Sequence, residues 1–450
     1  MIQYTVKFWK TVCIVVACAG ALFCGAILTL VAMRRPWIAP VRGVRLDPVR
    51  PPVPLSELGP DSAFRLLVQA ADFSGIKTDL PSGVADRILT QAWSELTFSN
   101  VVMLLEEAQT NLALFARAAG AEDQRAPLPP ALDWIAYPDS QGTDKIKTLL
   151  TVSALRRTAA GDCAGALEDV KLLMRGGAVR GLVVSFEGYQ QAAYCRRGCA
   201  ALRRMACHGS AAQPVVQDAL DFLHAFEQEL VPWHEVVRMQ HAWFKGMLPE
   251  IYGAPDEVWV GVFDRRFALL RRFAPLMGSN PTVTQQSMDA LFSHAVVIAE
   301  RPYAQAAYAS LGMAVTCSPW ELLISADPFG RALARLMFSS MDHQHSLHAG
   351  LRADLGLTRL VLALSLYEAQ HGAPPATAAD LTLEYLDAVP VDPFHEPDPL
   401  RYVVGSNGTW LAYSVGPGGV DDGGRADAGR DGPDIAVSSE SDLLLGVTWY

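Results

Sequence analysis

From Thr11 to Met33 the chain runs 23 residues without a formal charge, TVCIVVACAGALFCGAILTLVAM. About 20 apolar residues span the hydrocarbon core of a bilayer, so this segment reads as a transmembrane helix. Lys7 and Lys10 stand before it, Arg34 and Arg35 after it, where long cationic side chains snorkel to the interface. Trp9 and Trp37 take the places of interfacial aromatics. A cleaved leader has an apolar core of about 7–15 residues followed by a small-residue site. This stretch is longer and ends in Met-Arg-Arg-Pro, so an uncleaved anchor is expected. Val15-Val16-Ala17-Cys18 loosely resembles a lipobox, but the apolar run continues for 15 residues past Cys18. No other stretch reaches 18 uncharged apolar residues, which makes the chain single-pass.

Flanking charge does not orient the anchor by itself. Arg34, Arg35, Arg42, Arg45 and Arg50 follow it against Lys7 and Lys10 before it, a bias that retains short loops in the cytoplasm. Long domains translocate largely regardless of such charge. The net charge of −10 and pI near 5.5 argue against the phosphate backbone as a partner, and no nucleic acid is expected. Cys13, Cys18 and Cys24 lie in the apolar segment. The five others, Cys163, Cys195, Cys199, Cys207 and Cys317, are an odd set rather than a disulfide framework. Buried thiols, one disulfide or a metal site with His208 all remain open, although paired C-x-x-C spacing is absent.

Residues 36–60 contain seven prolines, a density that favours an extended, semi-rigid stalk. From about 61 to 371 apolar residues recur at helical spacing, as in Leu105, Ala108, Leu112 and Phe115. The pattern predicts helices over Ala63–Phe73, Val84–Ala119, Lys145–Ala160, Ala164–Arg175, Gly181–Cys207, Pro214–Leu230 and Glu257–Phe273. Leu80-Pro81-Ser82-Gly83, Gly176-Gly177, Gly278-Ser279-Asn280-Pro281 and Ser318-Pro319 read as breaks. Leu149–Ala160, the turn Gly161-Asp162 and Ala164–Arg175 resemble one tetratricopeptide hairpin, without a 34-residue recurrence. Residues 1–60 carry net +5 and residues 372–450 net −10. That shift coincides with strand-like segments at Leu400–Gly405, Trp410–Ser414 and Ile435–Ser438. The expected layout is an anchor over 1–35, a stalk over 36–60, a helical domain over 61–345 and a small module over 346–450.

That last module carries a family resemblance. Arg359-Leu360-x-x-Ala363-Leu364-x-x-Tyr367 lies on a helix that ends at Gly372. Tyr385-Leu386-Asp387-Ala388-Val389-Pro390-Val391-Asp392-Pro393-Phe394 follows, then Leu400-Arg401-Tyr402. Leu411-Ala412-Tyr413-Ser414-Val415-Gly416-Pro417-Gly418-Gly419, Asp421-Asp422-Gly423-Gly424 and Asp434-Ile435 complete the order. Over roughly 350–437 this series resembles the globular part of the major pseudopilins of type II secretion systems. The resemblance implies a helix followed by a short antiparallel sheet, placed outside the cytoplasm. It also implies a calcium loop, with Asp421, Asp422 and Asp434 as side-chain ligands and Leu411 and Ser414 offering backbone carbonyls. Read from the residues alone, 416–432 hold seven Gly and four Asp. Such a loop can turn carbonyls and carboxylates inward for a structural calcium, or be a solvated acidic turn. The chain departs from the family in three ways. Gly418 stands where the family has an acidic residue. Lys7-Phe8-Trp9-Lys10-Thr11-Val12 replaces the prepilin-peptidase motif Gly-Phe-Thr-x-x-Glu. More than 300 residues separate anchor and module.

No complete catalytic signature is present. His234-Glu235 begins like a zincin motif, but Arg238 occupies the place of the second histidine. His343, His345 and His348, with Asp342 adjacent, would meet on a metal if they stood in a loop. Arginine pairs recur at 156–157, 196–197, 203–204, 265–266 and 271–272, as solvated helix faces or as contacts for lipid head groups or an acidic partner. The fold expected is mainly α: one transmembrane helix, a large all-helical domain and a small α+β pseudopilin-like module. The expected function is a non-enzymatic binding or scaffold protein of the bacterial envelope. It would meet lipid through its anchor and a protein partner through its soluble part. The alternatives are an anchored metal-dependent enzyme using the three histidines, and a repeat-type peptide-binding module over 145–207.

Overall fold

Eleven helices and two small sheets make up the described part of the computed structural model. Described are residues 38–49, 51–76, 78–80, 84, 87, 93–95, 97–125, 127–128, 140–180, 185–207, 211–253, 279–306, 326–338, 341–382, 384–406, 408–421, 423–424 and 435–438. The expected anchor Thr11–Met33 and the expected helix Glu257–Phe273 lie outside them. Among the described residues no helix is long and apolar enough to cross a membrane. The helices are α1 (Ala63–Ala70), α2 (Ser99–Glu107), α3 (Gln109–Ala119), α4 (Ser140–Ala159), α5 (Cys163–Arg180), α6 (Ser185–Cys207), α7 (Gln213–Glu229), α8 (Trp233–Gly253), α9 (Pro281–Ala299), α10 (Pro328–Phe338) and α11 (Met341–His371). The strands are β1 (Val53–Pro54), β2 (Pro127–Leu128), β3 (Arg401–Val404), β4 (Trp410–Ser414) and β5 (Ile435–Ser438).

Two compact units divide the chain. One takes in Met1–Arg45, Leu248–Ala295 and Tyr308–Ser340; the other takes in Leu46–Met247, Val296–Ala307 and Met341–Tyr450. In the smaller unit, Asp327 is fully buried at the start of α10. Its Oδ1 accepts from the Gly330 N–H at 2.9 Å and the Thr284 hydroxyl at 3.0 Å, which satisfies a helix terminus in the manner of an N-cap. Phe292 meets Phe338 edge-on at 4.9 Å, and Tyr252 meets Phe329 at 5.2 Å.

In the larger unit, successive helices pack on one another, α4 on α5 and α5 on α6. Gly161 turns the chain between α4 and α5 with φ 82°, as the sequence predicts for this pair. The predicted break at Gly176-Gly177 does not occur: α5 runs through both glycines to Arg180. Their role is close approach. A Cβ at Gly176 would stand 2.0 Å from the Phe115 ring, and one at Gly177 would stand 2.5 Å from Tyr194 Cβ. Phe115 and Tyr194 stack there at 6.0 Å, both fully buried. The predicted single helix Val84–Ala119 is instead interrupted. α2 begins only at Ser99, after Trp93 and Phe98 stack at 5.4 Å, and α3 follows at Gln109. Asn111 reaches back to bond the Ala70 and Asp72 carbonyls at 2.9 and 2.8 Å, satisfying carbonyls left open beyond α1.

α11 is the central element. It is 31 residues long and buried on every side over 353–358 and 360–364, the mark of a helix enclosed by its neighbours. It ends at Gly372, whose N–H returns to the Glu368 carbonyl at 2.8 Å. One apolar cluster joins Leu355, Leu357, Leu360 and Leu364 of α11 to Leu167 and Val170 of α5, Leu202 of α6 and Leu223 of α7. The same cluster contains Leu381, Phe394, Leu400, Trp410 and Val415 of the C-terminal segment. The boundary expected at 346 therefore falls inside a helix and inside a shared core.

The stalk expected over 36–60 is also corrected over its described residues. In the smaller unit, the Val41 N–H donates to Ser293 Oγ at 2.8 Å, and His294 Nε2 donates to the Ala39 carbonyl at 2.8 Å. In the larger unit, the Val49 N–H donates to Glu235 at 3.0 Å. β1 pairs with β2 in parallel, and Arg65 holds the Leu55 and Leu58 carbonyls at 3.0 Å each. Proline removes only its own N–H; the residues between the prolines keep theirs and use them to tie the strap down.

Candidate functional site

The C-terminal sheet has the order β3-β4-β5, antiparallel throughout. Arg401 faces Tyr413 in register, and Ser414 faces Ile435. The loop before β3 is fixed by Asp392, which is 1% exposed. Its Oδ1 accepts from the Ser414 hydroxyl at 2.7 Å and the Phe394 N–H at 3.0 Å; its Oδ2 accepts from the Val415 N–H at 2.9 Å. A buried carboxylate is tolerated when donors surround it. Nothing in the sequence marks Asp392 as a site residue beyond its being a lone acid in an apolar run, between Val391 and Pro393. Replacing Asp392 by asparagine turns an amide N–H toward one of these donors. The expected cost is about 1–2 kcal/mol, read as a lower denaturant midpoint for the full chain in detergent.

Of the five residues expected to hold calcium, Asp422 and Asp434 lie outside the described residues. Leu411 and Ser414 lie on the central strand β4, and the Ser414 side chain is committed to Asp392. Asp421 Oδ1 accepts from the Tyr413 hydroxyl at 2.9 Å and the Gly423 N–H at 3.0 Å, while Oδ2 faces Arg401 Nε at 3.6 Å. A calcium ion takes six to eight oxygens; of the expected side-chain ligands only Asp421 is described, and its carboxylate faces a hydroxyl, an amide N–H and a guanidinium. Among the described residues no group of three His, Cys, Asp or Glu side chains is placed to hold a metal.

The three histidines stand in a helix, α11, and not in a loop. His343 is exposed, whereas His345 is 6% exposed. His345 stacks on Trp233 at 5.4 Å and meets Tyr303 edge-on at 5.1 Å; Tyr303 in turn meets Phe394 at 5.0 Å. His348 bonds through Nε2 to the Val231 carbonyl at 3.0 Å. Burial lowers the pKa of His345 to about 3, with His348 adding to the effect. Burial also lowers His348 to about 4, against the Val231 bond, with Arg352 and His234 nearby. Both imidazoles are therefore neutral packing groups at neutral pH: His348, like His345, lies against Trp233, at 5.9 Å. At the abortive zincin motif, Arg238 pairs with Glu235 and, at 2.8 Å, with Glu300.

Of the arginine pairs, 265–266 and 271–272 lie outside the described residues; several arginines of the other pairs meet partners within the fold. Arg156 bonds Glu95 at 2.8 Å, Arg157 faces Asp169 at 3.2 Å, and Arg197 donates to Thr148 at 2.8 Å. Arg203, 1% exposed, bonds both Asp354 and Thr358 at 2.6 Å. Cys163, Cys195 and Cys199 are buried and are not joined in a disulfide; burial pushes the Cys195 and Cys199 thiols up, which makes these two packing thiols rather than nucleophiles.

No family model, curated protein or solved structure matches the chain. Fold and geometry define its class: a mainly helical protein in which a small antiparallel sheet is built onto the last long helix.

Proposed function

We propose that the chain is a non-enzymatic, single-pass membrane-anchored binding or scaffold protein of a bacterial envelope. Its anchor, Thr11–Met33, sits in the inner membrane, and its soluble part faces the extracytoplasmic side and meets a protein partner there. The observation that carries this reading is the order of α11 followed by β3, β4 and β5. A helix followed by a short antiparallel sheet is what the pseudopilin resemblance implies, and this order supports a relation to secretion or pilus-like systems. Because that helix shares its core with α5, α6 and α7, the module is a fixed part of a larger body, which favours a scaffold over a polymerising subunit. An anchored metal enzyme gains no support from histidines of which one, His343, is exposed and the other two, His345 and His348, are packed against Trp233.

The test is a pair of reporter fusions after Tyr450 in a Gram-negative host. Alkaline phosphatase is expected to be active and green fluorescent protein dark, with the chain in the membrane fraction. The reverse pair contradicts the extracytoplasmic placement. Recovery of the intact chain in the soluble fraction contradicts the anchor.

A further inference from the structure

We propose that the Arg401 guanidinium is the built-in counter-cation of the Asp421 turn, so that this turn closes onto the sheet without a divalent ion. Arg401 opens β3, and its partner across the ladder is Tyr413 on β4. The register therefore delivers a cation and a hydroxyl side by side to the same carboxylate. The hydroxyl and the Gly423 N–H take Oδ1 at 2.9 and 3.0 Å, and the guanidinium faces Oδ2 at 3.6 Å. Arg401 also bonds Asp398 at 3.3 Å, so one cation lies between two carboxylates. A calcium ion approaching Oδ2 would meet that positive charge and would have to displace it.

The turn is pressed against the strand it serves. A Cβ at Gly424 would lie 2.7 Å from Leu411 Cδ2 and 3.1 Å from Tyr413 Cδ1, and the residue has φ +75°. Only glycine meets both conditions without strain. The Arg401 and Asp421 side chains are 30% and 47% exposed. A partly exposed ion pair contributes little to global stability, so its effect belongs to local opening of the turn. The inference holds whichever side of the membrane the module faces.

The experiment uses the full chain in detergent, stripped with EGTA. Calcium chloride titrated into it by calorimetry is expected to give no saturable heat. Amide exchange at Gly423 and Gly424 is expected to be the same in EGTA and in millimolar calcium. Arg401→Gln is expected to speed that exchange about two- to fivefold, with the Phe394 amide unchanged. Arg401→Lys, which keeps the charge, is expected to stay near the parent. Saturable calcium binding that Asp421→Asn abolishes would overturn the proposal. So would exchange in Arg401→Gln indistinguishable from the parent.

Discussion

Arg203→Ala is expected to destabilise the larger unit by about 3–5 kcal/mol, because removing one member of a buried ion pair leaves the other charge stranded. Arg203 is 1% exposed and Asp354 4% exposed. The guanidinium bonds Asp354 Oδ1 and Thr358 Oγ1 at 2.6 Å each, and Thr358 returns its hydroxyl to the Asp354 carbonyl at 2.7 Å. Arg203 sits on α6 and both partners sit on α11, so the contact pins one helix against the other at a single register. Asp354→Ala is expected to cost a similar amount. Arg203→Met combined with Asp354→Leu is expected to recover most of the loss, since well-packed apolar groups often replace a buried pair without penalty. Denaturant unfolding of the three variants beside the parent reads all of these. A loss below about 1 kcal/mol in Arg203→Ala, the range of a surface pair, would place the contact in solvent.

Acid is expected to unfold the same unit. His345 and His348 have folded pKa values of about 3 and about 4, against 6.5 for the free side chain. A histidine held neutral by the fold contributes its stability fully above 6.5 and loses it as pH falls toward the folded value, because the unfolded chain takes up the proton first. At pH 5 the gap is about 1.5 units, or about 2 kcal/mol for each ring. Asp169, in the same unit, acts in the opposite direction, since burial raises its pKa. A single-residue difference isolates the histidine contribution. His345→Phe keeps an aromatic ring against Trp233 and removes the proton site. The parent is expected to lose about 2 kcal/mol more than this variant between pH 7.5 and pH 5. Parallel pH profiles would contradict the neutral, buried His345.

The sequence displays the secondary structure well wherever local pattern decides it. Apolar spacing predicts α4, α5 and the helix ending at Gly372, and β-branched and aromatic runs predict β3, β4 and β5. Reading fails where a residue answers to a distant neighbour. Gly176 and Gly177 read as a break, yet they are contact points for Phe115 and Tyr194. The prolines of 36–60 read as a spacer, yet the residues between them find partners at Glu235, Ser293 and Arg65. Arg203 looks like one of several surface cations, because nothing nearby in the chain announces Asp354, 151 positions away. At the candidate site, the Gly and Asp content of 416–432 is plain in the sequence. That Arg401 faces Asp421 depends on strand register, which local composition does not encode. Asp392 is plain in the sequence, but its role depends on Ser414 arriving from β4.

Helices of the larger unit and the C-terminal sheet share one core. Native-state amide exchange on the full chain in detergent, compared between parent and Arg203→Ala, tests it most directly. The amides of 199–205 in α6 and of 410–414 in β4 are expected to be protected to a similar degree in the parent, and to lose protection together in the variant. Loss confined to α6, with β4 protected as in the parent, would contradict the shared core and make the sheet an independent module.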